Sequence, residues 1–329
     1  MGCNNDKKVD RKFKTNWKIY NLAMKNEDEW FIQNAKKIID KMPEPWEISK
    51  RGRPPHPPKS LVLALLLKSK HQKTYRGLES FLREDKRYKK LGFTIPPSKS
   101  TLQEAMVKVP KEYLEKIEHE LSNIFKKTEK HLIVDSTGYG INKYESWFDV
   151  RTKKNKRKEF KKSHRIVGYW FKGILSHEVT PGHCHDSPIF SILIEKLPES
   201  NYESISGDTA YCNRYNCNLV SENSIQPFFK PMKNATTKAK GSPAWHKMIR
   251  LWKDDKDAFD NAYHRRSVIE AVIGAEKQRL GHVLFSRRED LQEKELRLKV
   301  ICYNLLVMNK IKASLILHEP LLLPVKEAG

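Results

Sequence analysis

The sequence predicts a mixed α/β fold behind a helical N-terminal region. Three observations carry this reading. Residues 60–127 place apolar side chains at helical spacing throughout. From about residue 128, short β-branched and aromatic runs alternate with helical stretches, the layout of a mixed sheet with helices packed on it. Two of those runs end in a carboxylate, at Asp135 and Asp208. The ends of strands are where α/β sheets present functional groups.

The elements follow in order. Residues 1–50 are basic and polar with scattered aromatics (Trp17, Trp30, Trp46) and read as a basic leader. RGRPPHPPKS, residues 51–60, carries four prolines, which remove backbone donors and favour extended chain. It opens a helical region over 51–127. SLVLALLLKSK reads as a buried helix with Ser60 as its cap. TYRGLESFLRED sets Leu78, Phe81 and Leu82 at helical spacing, and SKSTLQEAMVKV holds a Ser100-x-x-Gln103 capping box. Pro110 fits the start of a further helix, with Tyr113, Leu114, Ile117, Leu121, Ile124 and Phe125 as its apolar stripe.

After Lys130 the pattern switches, and 128–315 reads as the α/β unit. HLIVDSTG is an apolar run that stops at a carboxylate and a turn. HRIVGYWFKGILSHEV, residues 164–179, has strand composition broken by glycines. SPIFSILIEKL, 187–197, is helical in pattern; YESISGDTAY and SIQPFFKPM each hold a short strand. From about Pro243 the chain is helical, and 316–329 reads as a tail.

Composition narrows the function. Lys and Arg number 63 against 40 Asp and Glu, a formal charge of +23 in 329 residues. Such a surplus points to a polyanion, nucleic acid before an acidic membrane surface. With 38% hydrophobic residues the chain is not a disordered basic tail. Its longest apolar run, Leu61 to Leu67, is far shorter than the roughly 20 residues that span a bilayer, so no membrane partner is expected. The start MGCNNDKK lacks the apolar core of a secretory signal. Five cysteines are too few and too irregular for a disulfide framework. His183, Cys184, His185, Cys212 and Cys217 lack zinc-site spacing.

Asp135 and Asp208, each taken alone, read first as turn formers or helix caps. A third segment changes the balance. Within DAFDNAYHRRSVIEAVIGAEKQRL, Tyr263, Arg266, Glu270 and Lys277 stand at offsets 0, 3, 7 and 14. At about 100° per residue they share a helix face roughly 60° wide. A solvated face with an Arg266–Glu270 ion pair accounts for two of the four. A chemical reading accounts for all of them. Three carboxylates from separate segments, Asp135, Asp208 and Glu270, can hold two hard divalent cations such as Mg²⁺. A pair of such ions activates a water or a 3′-hydroxyl and stabilises the leaving oxygen of a phosphodiester. Arg266 and Lys277 would grip phosphates beside them, and Tyr263 would bond a phosphate or stack on a base.

The order Asp135, Asp208, Glu270, with Tyr263-x2-Arg266-x3-Glu270-x6-Lys277, resembles the DDE transposases of prokaryotic insertion sequences, in the group with the Tyr-Arg-Glu-Lys signature. HLIVDSTG, VTPGHCHDSP, SGDTAY and GRPPHPPKSLVLALLL are similar to further segments of that family, so the resemblance spans about residues 50–312. It implies a ribonuclease-H-like sheet flanked by helices, and a helical N-terminal region over 51–127 that binds terminal repeats. It implies Mg²⁺, or Mn²⁺ in its place, at Asp135, Asp208 and Glu270. The expected partners are double-stranded transposon ends and target DNA, held by a homodimer in a cytoplasmic, nucleoid-associated setting. The reaction it implies is cleavage at the element's end followed by attack of the exposed 3′-hydroxyl on target DNA.

Two basic segments flank these motifs. Lys143–Arg165 holds ten Lys/Arg against three acids, and Lys230–Lys256 eight against two. Lys153, Lys154, Arg157, Lys158, Trp245 and Trp252 are their candidate DNA contacts, since basic segments with interleaved aromatics suit frayed ends. A packing role for each Trp stands beside that reading. Asp186 reads first as a turn or as the cap of the helix after it, with a fourth carboxylate near the site as the alternative. Two other functions fit the same motifs: another metal-dependent nuclease on the same fold, and an inactive DNA-binding derivative.

Overall fold

The computed structural model describes residues 13–48, 55–141 and 160–324. The candidate contacts Lys153, Lys154, Arg157 and Lys158 lie outside the described residues.

The chain opens with β1 (Phe13–Thr15), α1 (Trp17–Lys25) and α2 (Glu27–Ile39). The helical region follows as α3 (Pro58–Lys70), α4 (Tyr75–Arg83), α5 (Arg87–Lys90), α6 (Lys99–Lys108) and α7 (Lys111–Phe125). The sheet region runs β2 (His131–Ile141), β3 (Phe160–Gly168), β4 (Ile174–Pro181), α8 (Asp186–Glu195), β5 (Ser204–Gly207), α9 (Arg214–Glu222) and β6 (Gln226–Phe229). The chain continues through α10 (Pro243–Asp254), α11 (Lys256–Tyr263), α12 (Ser267–Leu280), β7 (Val283–Leu284), α13 (Glu289–Leu317) and β8 (Leu322–Pro324).

Five strands lie in the order β4-β3-β2-β5-β6, and β7 adds a short pairing to the far end of β2. The β2–β3 and β3–β4 pairs are antiparallel; β5 runs parallel to β2, and β6 parallel to β5. This is a mixed sheet flanked by helices, as the alternating pattern implied. Leu132, Ile133 and Val134 are all buried on the central strand, because a strand covered on both faces needs an unbroken apolar run.

Several boundaries differ from the sequence reading. β2 does not stop at Asp135. It runs to Ile141 because Ser136–Gly140 pair with Phe160–His164 of β3, which places Asp135 mid-strand. Helix α3 starts at Pro58 with Pro57 at its N-cap, so Ser60 is a buried helical residue rather than a cap. Ser98, not Ser100, caps α6 by accepting from the Thr101 amide. Ile124 leaves the buried stripe of α7 and faces solvent.

Residues 13–48 are not a basic leader. Phe31, Ala35, Ile38 and Ile39 of α2 join the main apolar core, and Ile19, Ala23 and Trp30 pack on Ala313. The charged positions between them mask this spacing in the composition. β1 pairs with β8, so 322–324 also leave the expected tail and join the body. Helices α3, α6 and α7 share one core with the sheet rather than building their own. Helix α13 is long and apolar enough to cross a membrane, but half of its most apolar stretch is buried, and it packs on α1, α2, α3 and α7.

Candidate active site

Strand periodicity sets the site. Alternate residues of β2 share a face, so Asp135, Thr137 and Tyr139 point the same way. Helix α12 and the tight turn before it, 264–266, lie along that row. Arg266 Nη1 donates to Asp135 Oδ2 at 3.1 Å. Lys277 Nζ donates to Thr137 Oγ1 at 2.6 Å and to the Gly138 carbonyl at 2.9 Å. The Tyr139 hydroxyl donates to Glu276 Oε1 at 2.9 Å. The 264–266 turn and helix α12 together therefore read three successive positions on one face of the strand.

Asp208 reaches the same end of the sheet by the parallel β2–β5 pairing. Ile133 stands opposite Ser206, and each aspartate lies two residues further along its own chain. Gly207 makes the close approach feasible: a Cβ there would meet Val134 Cγ1 at 2.7 Å. The Asp208 carboxylate caps the short turn after β5 by accepting from the Ala210 amide at 2.9 Å. Glu270 sits in the first turn of α12, two-thirds exposed, and accepts from Arg266 Nη2 at 3.2 Å.

The electrostatics follow. Burial pushes the Asp135 carboxyl above the usual aspartate value, and Asp208 adds to the rise, against the Ser136 amide and Arg266. Arg266 supplies the positive charge between Asp135 and Glu270. Tyr263 also faces that guanidinium. Burial, with Arg165 nearby, lowers the Lys277 ammonium. Among the described residues no three His, Cys, Asp or Glu side chains close on one point as a complete metal shell. An oxygen-only donor set such as Asp135 and Asp208 is the kind a hard cation takes.

Residues 126–305 match the family model for the transposase DDE domain, more than half of the chain. The chain belongs to the DDE-domain transposases. The matched span holds Asp135, Asp208, Tyr263, Arg266, Glu270 and Lys277. Among solved structures, the piggyBac transposase synaptic complex with hairpin DNA aligns over 93% of this chain and 75% of its own, at 10% identity and TM-score 0.44. The Mos1 transposase paired-end complex with left transposon end aligns over 79% and 97%, at 8% identity and TM-score 0.22. These scores are too low to establish a shared fold. No curated protein matches the chain.

The structure adds residues to this transposase site that the sequence reading passed over. On the face shared with Asp135, Arg165 and Glu276 form an ion pair with both side chains wholly buried. Arg165 also donates to the Tyr139 hydroxyl at 2.9 Å and to Ser163 Oγ at 2.8 Å. A charged residue inside the apolar run HRIVG was the available signal. On the opposite face, Asp186 is not a cap, since His185 holds that position. Its carboxylate accepts from Lys162 Nζ at 2.9 Å and lies 3.3 Å from His164 Nδ1. Burial alone would raise Asp186, but His164, Lys162 and Ser136 hold it well below the usual aspartate range.

Trp245, a candidate DNA contact, is 7% exposed; its indole donates to the Thr236 carbonyl at 2.9 Å and lies beneath the Arg214 guanidinium. It is a core residue that anchors the 230–242 segment to α10. Trp252 is half-buried and packs on the main core. Both follow the apolar spacing of α10, which composition alone did not separate from a basic, aromatic surface.

Proposed function

We propose that this transposase binds the ends of an insertion sequence and catalyses divalent-metal-dependent strand cleavage and strand transfer. The observation that carries the reading is Arg266, which ties Asp135 of β2 to Glu270 of α12 beside Asp208. Asp135, Asp208 and Glu270 are the residues to hold Mg²⁺, or Mn²⁺. Bound there, the ions would supply the activation of water or a 3′-hydroxyl and the stabilisation of the leaving oxygen. Arg266 and Lys277, each held by a carboxylate or carbonyl in the free protein, exchange those partners for phosphate oxygens of the DNA end. Tyr263 stands beside Arg266 and contacts the same end.

The sheet is read here as a ribonuclease-H-like core. The 51–127 region is its terminal-repeat reader, and a homodimer holds two ends together. The charge of +23 supports a DNA substrate. The test is incubation with Mg²⁺, target DNA and a duplex carrying the element's terminal inverted repeats. Joining of the exposed 3′ end to the target, lost in Asp208→Asn, is the expected result. Cleavage without joining would point to a nuclease; binding without cleavage would defeat the enzymatic reading.

A further inference from the structure

The connection between β6 and α10, residues 230–242, contains neither helix nor strand. Loops longer than about 12 residues with no structure of their own are uncommon in compact domains, and are either functional or disordered. This one is pinned. Arg214 of α9 donates to the Ala239 carbonyl at 3.1 Å and to the Lys238 carbonyl at 2.9 Å. Asn218 donates to the Gly241 carbonyl at 3.2 Å and Trp245 to that of Thr236 at 2.9 Å, while the His246 ring pairs with that of Thr237 at 2.6 Å. These carbonyls are turned inward, against α9 and α10. Lys240 is kept at a φ of 44°, a left-handed conformation that persists only where its surroundings impose it. Lys230, Lys233, Lys238 and Lys240 are all exposed, and none has a carboxylate partner among the described residues.

The loop starts at the carboxylates. Gly207 of β5 pairs with Phe229 of the parallel strand β6, so Asp208 and Lys230 stand side by side, each one residue past that pairing. The Lys230 amide donates to the Gly207 carbonyl at 3.2 Å. Lys277 lies on the other side: it bonds the β2 row, and β5 separates β2 from β6. Asp135 and Asp208 therefore lie between two cationic surfaces. The function proposed above gives Arg266 and Lys277 to the cleaved end, and strand transfer must bring a second duplex to the same carboxylates. We propose that the 230–242 loop is the docking surface for the target duplex, with Lys230, Lys233, Lys238 and Lys240 on its phosphates. Unpaired lysines complement a polyanion, and lysines on phosphates read no sequence, which suits a duplex other than the repeats. The inference rests on that proposed function, which supplies the second duplex.

The test uses the full chain with Lys230→Gln, Lys233→Gln and Lys238→Gln combined. A control combines Lys25→Gln, Lys37→Gln and Lys41→Gln, exposed lysines at the N-terminal helices. Each protein is loaded with a precleaved terminal-repeat duplex, and a fluorescent duplex without repeats is titrated in over a salt series. At about 0.9 per neutralised phosphate, the loop variant should lose about two to three units of salt slope and bind that duplex about tenfold more weakly, or worse, at physiological salt. The control should match wild type, and both variants should melt with it. Unchanged binding by the loop variant overturns the proposal. An equal loss in the control also overturns it, because net charge would then be the cause. Binding of the terminal-repeat duplex to the free protein is measured alongside. A loop variant that loses this binding instead would put the loop on the transposon end and overturn its role toward the target. Joining is scored separately: a wild type that binds the unrelated duplex through the loop yet joins no 3′ end defeats the transposition reading and leaves the loop a duplex-binding surface.

Discussion

Arg165 and Glu276 meet inside the protein with no solvent contact, on the sheet face that carries Asp135. Arg165 stands opposite Asp135 in the β2–β3 ladder, and Glu276 precedes Lys277 on α12. The pair fastens the helix of Glu270 and Lys277 to the sheet at one register. Removing one partner of a buried pair leaves an uncompensated charge and costs about 3–5 kcal/mol. Glu276→Gln and Arg165→Met should each lower stability by that order in urea unfolding. Replacing Arg165 and Glu276 together with apolar residues, with Tyr139→Phe to remove the hydroxyl they bond, should recover most of the loss. A triple variant as unstable as the singles would show that the pair is not the source of the cost.

Asp135 and Asp186 lie on opposite faces of the sheet and should respond to acid with opposite signs. The folded-state value of Asp186 is lowered from 3.8, so its contribution is full above that value and is lost as pH falls. Asp186→Asn should therefore destabilise at pH 7, and the difference from wild type should shrink below about pH 4. The value of Asp135 is raised from 3.8, because burial and Asp208 outweigh Arg266. Its ionised form costs stability at neutral pH, and the cost disappears as pH falls through the raised value. Asp135→Asn should melt higher than wild type at pH 7 and converge with it in acid. Melting curves across pH check both signs.

Gly207 lets β5 lie close enough to β2 for Asp208 to stand level with Asp135. The Cβ of Gly207→Ala would meet Val134 Cγ1 at 2.7 Å and Phe229 Cδ1 at 3.1 Å, and neither core side chain has room to move. Overpacking of this kind costs about 1–3 kcal/mol. It also shifts Asp208 away from Asp135, and misplacement by about 1 Å can cost a hundredfold in rate. Val134→Ala in the same chain should restore most of the strand-transfer rate. A fully active Gly207→Ala would show that the two aspartates need not share a level.

The site was legible where chemistry and spacing repeat, and not where burial decides. Tyr263, Arg266, Glu270 and Lys277 announce themselves because helical period puts them on one face, and the structure keeps Arg266 and Lys277 on the β2 row despite the tightened turn at 264–266. Arg165 and Glu276 carry no such signal. Each is a polar residue in an ordinary position until long-range packing buries it, and that packing joins segments 111 residues apart for Arg165 and Glu276. The same limit explains the N-terminal error. Trp30, Phe31 and Ile38 have partners on α13 and in the main core, far along the chain. Local composition shows their charged neighbours instead.

Lys277 gives the remaining prediction its residue. In the free protein its ammonium is spent on Thr137 and the Gly138 carbonyl, 5.0 Å from the centre of the Tyr139 ring. On a DNA end it would bind a phosphate and displace one condensed counterion. The logarithm of the binding constant falls with the logarithm of salt concentration by about 0.9 per neutralised phosphate on duplex DNA. Binding of terminal-repeat duplex by the wild type should therefore weaken steeply between low and physiological salt. Lys277→Gln should reduce the slope by about one and weaken repeat and unrelated duplexes alike, because a phosphate contact reads no sequence. The measurement is fluorescence anisotropy over a salt series. A slope unchanged by Lys277→Gln would remove Lys277 from the DNA-contacting set, and salt-insensitive binding by the wild type would remove DNA as the target of the basic surface.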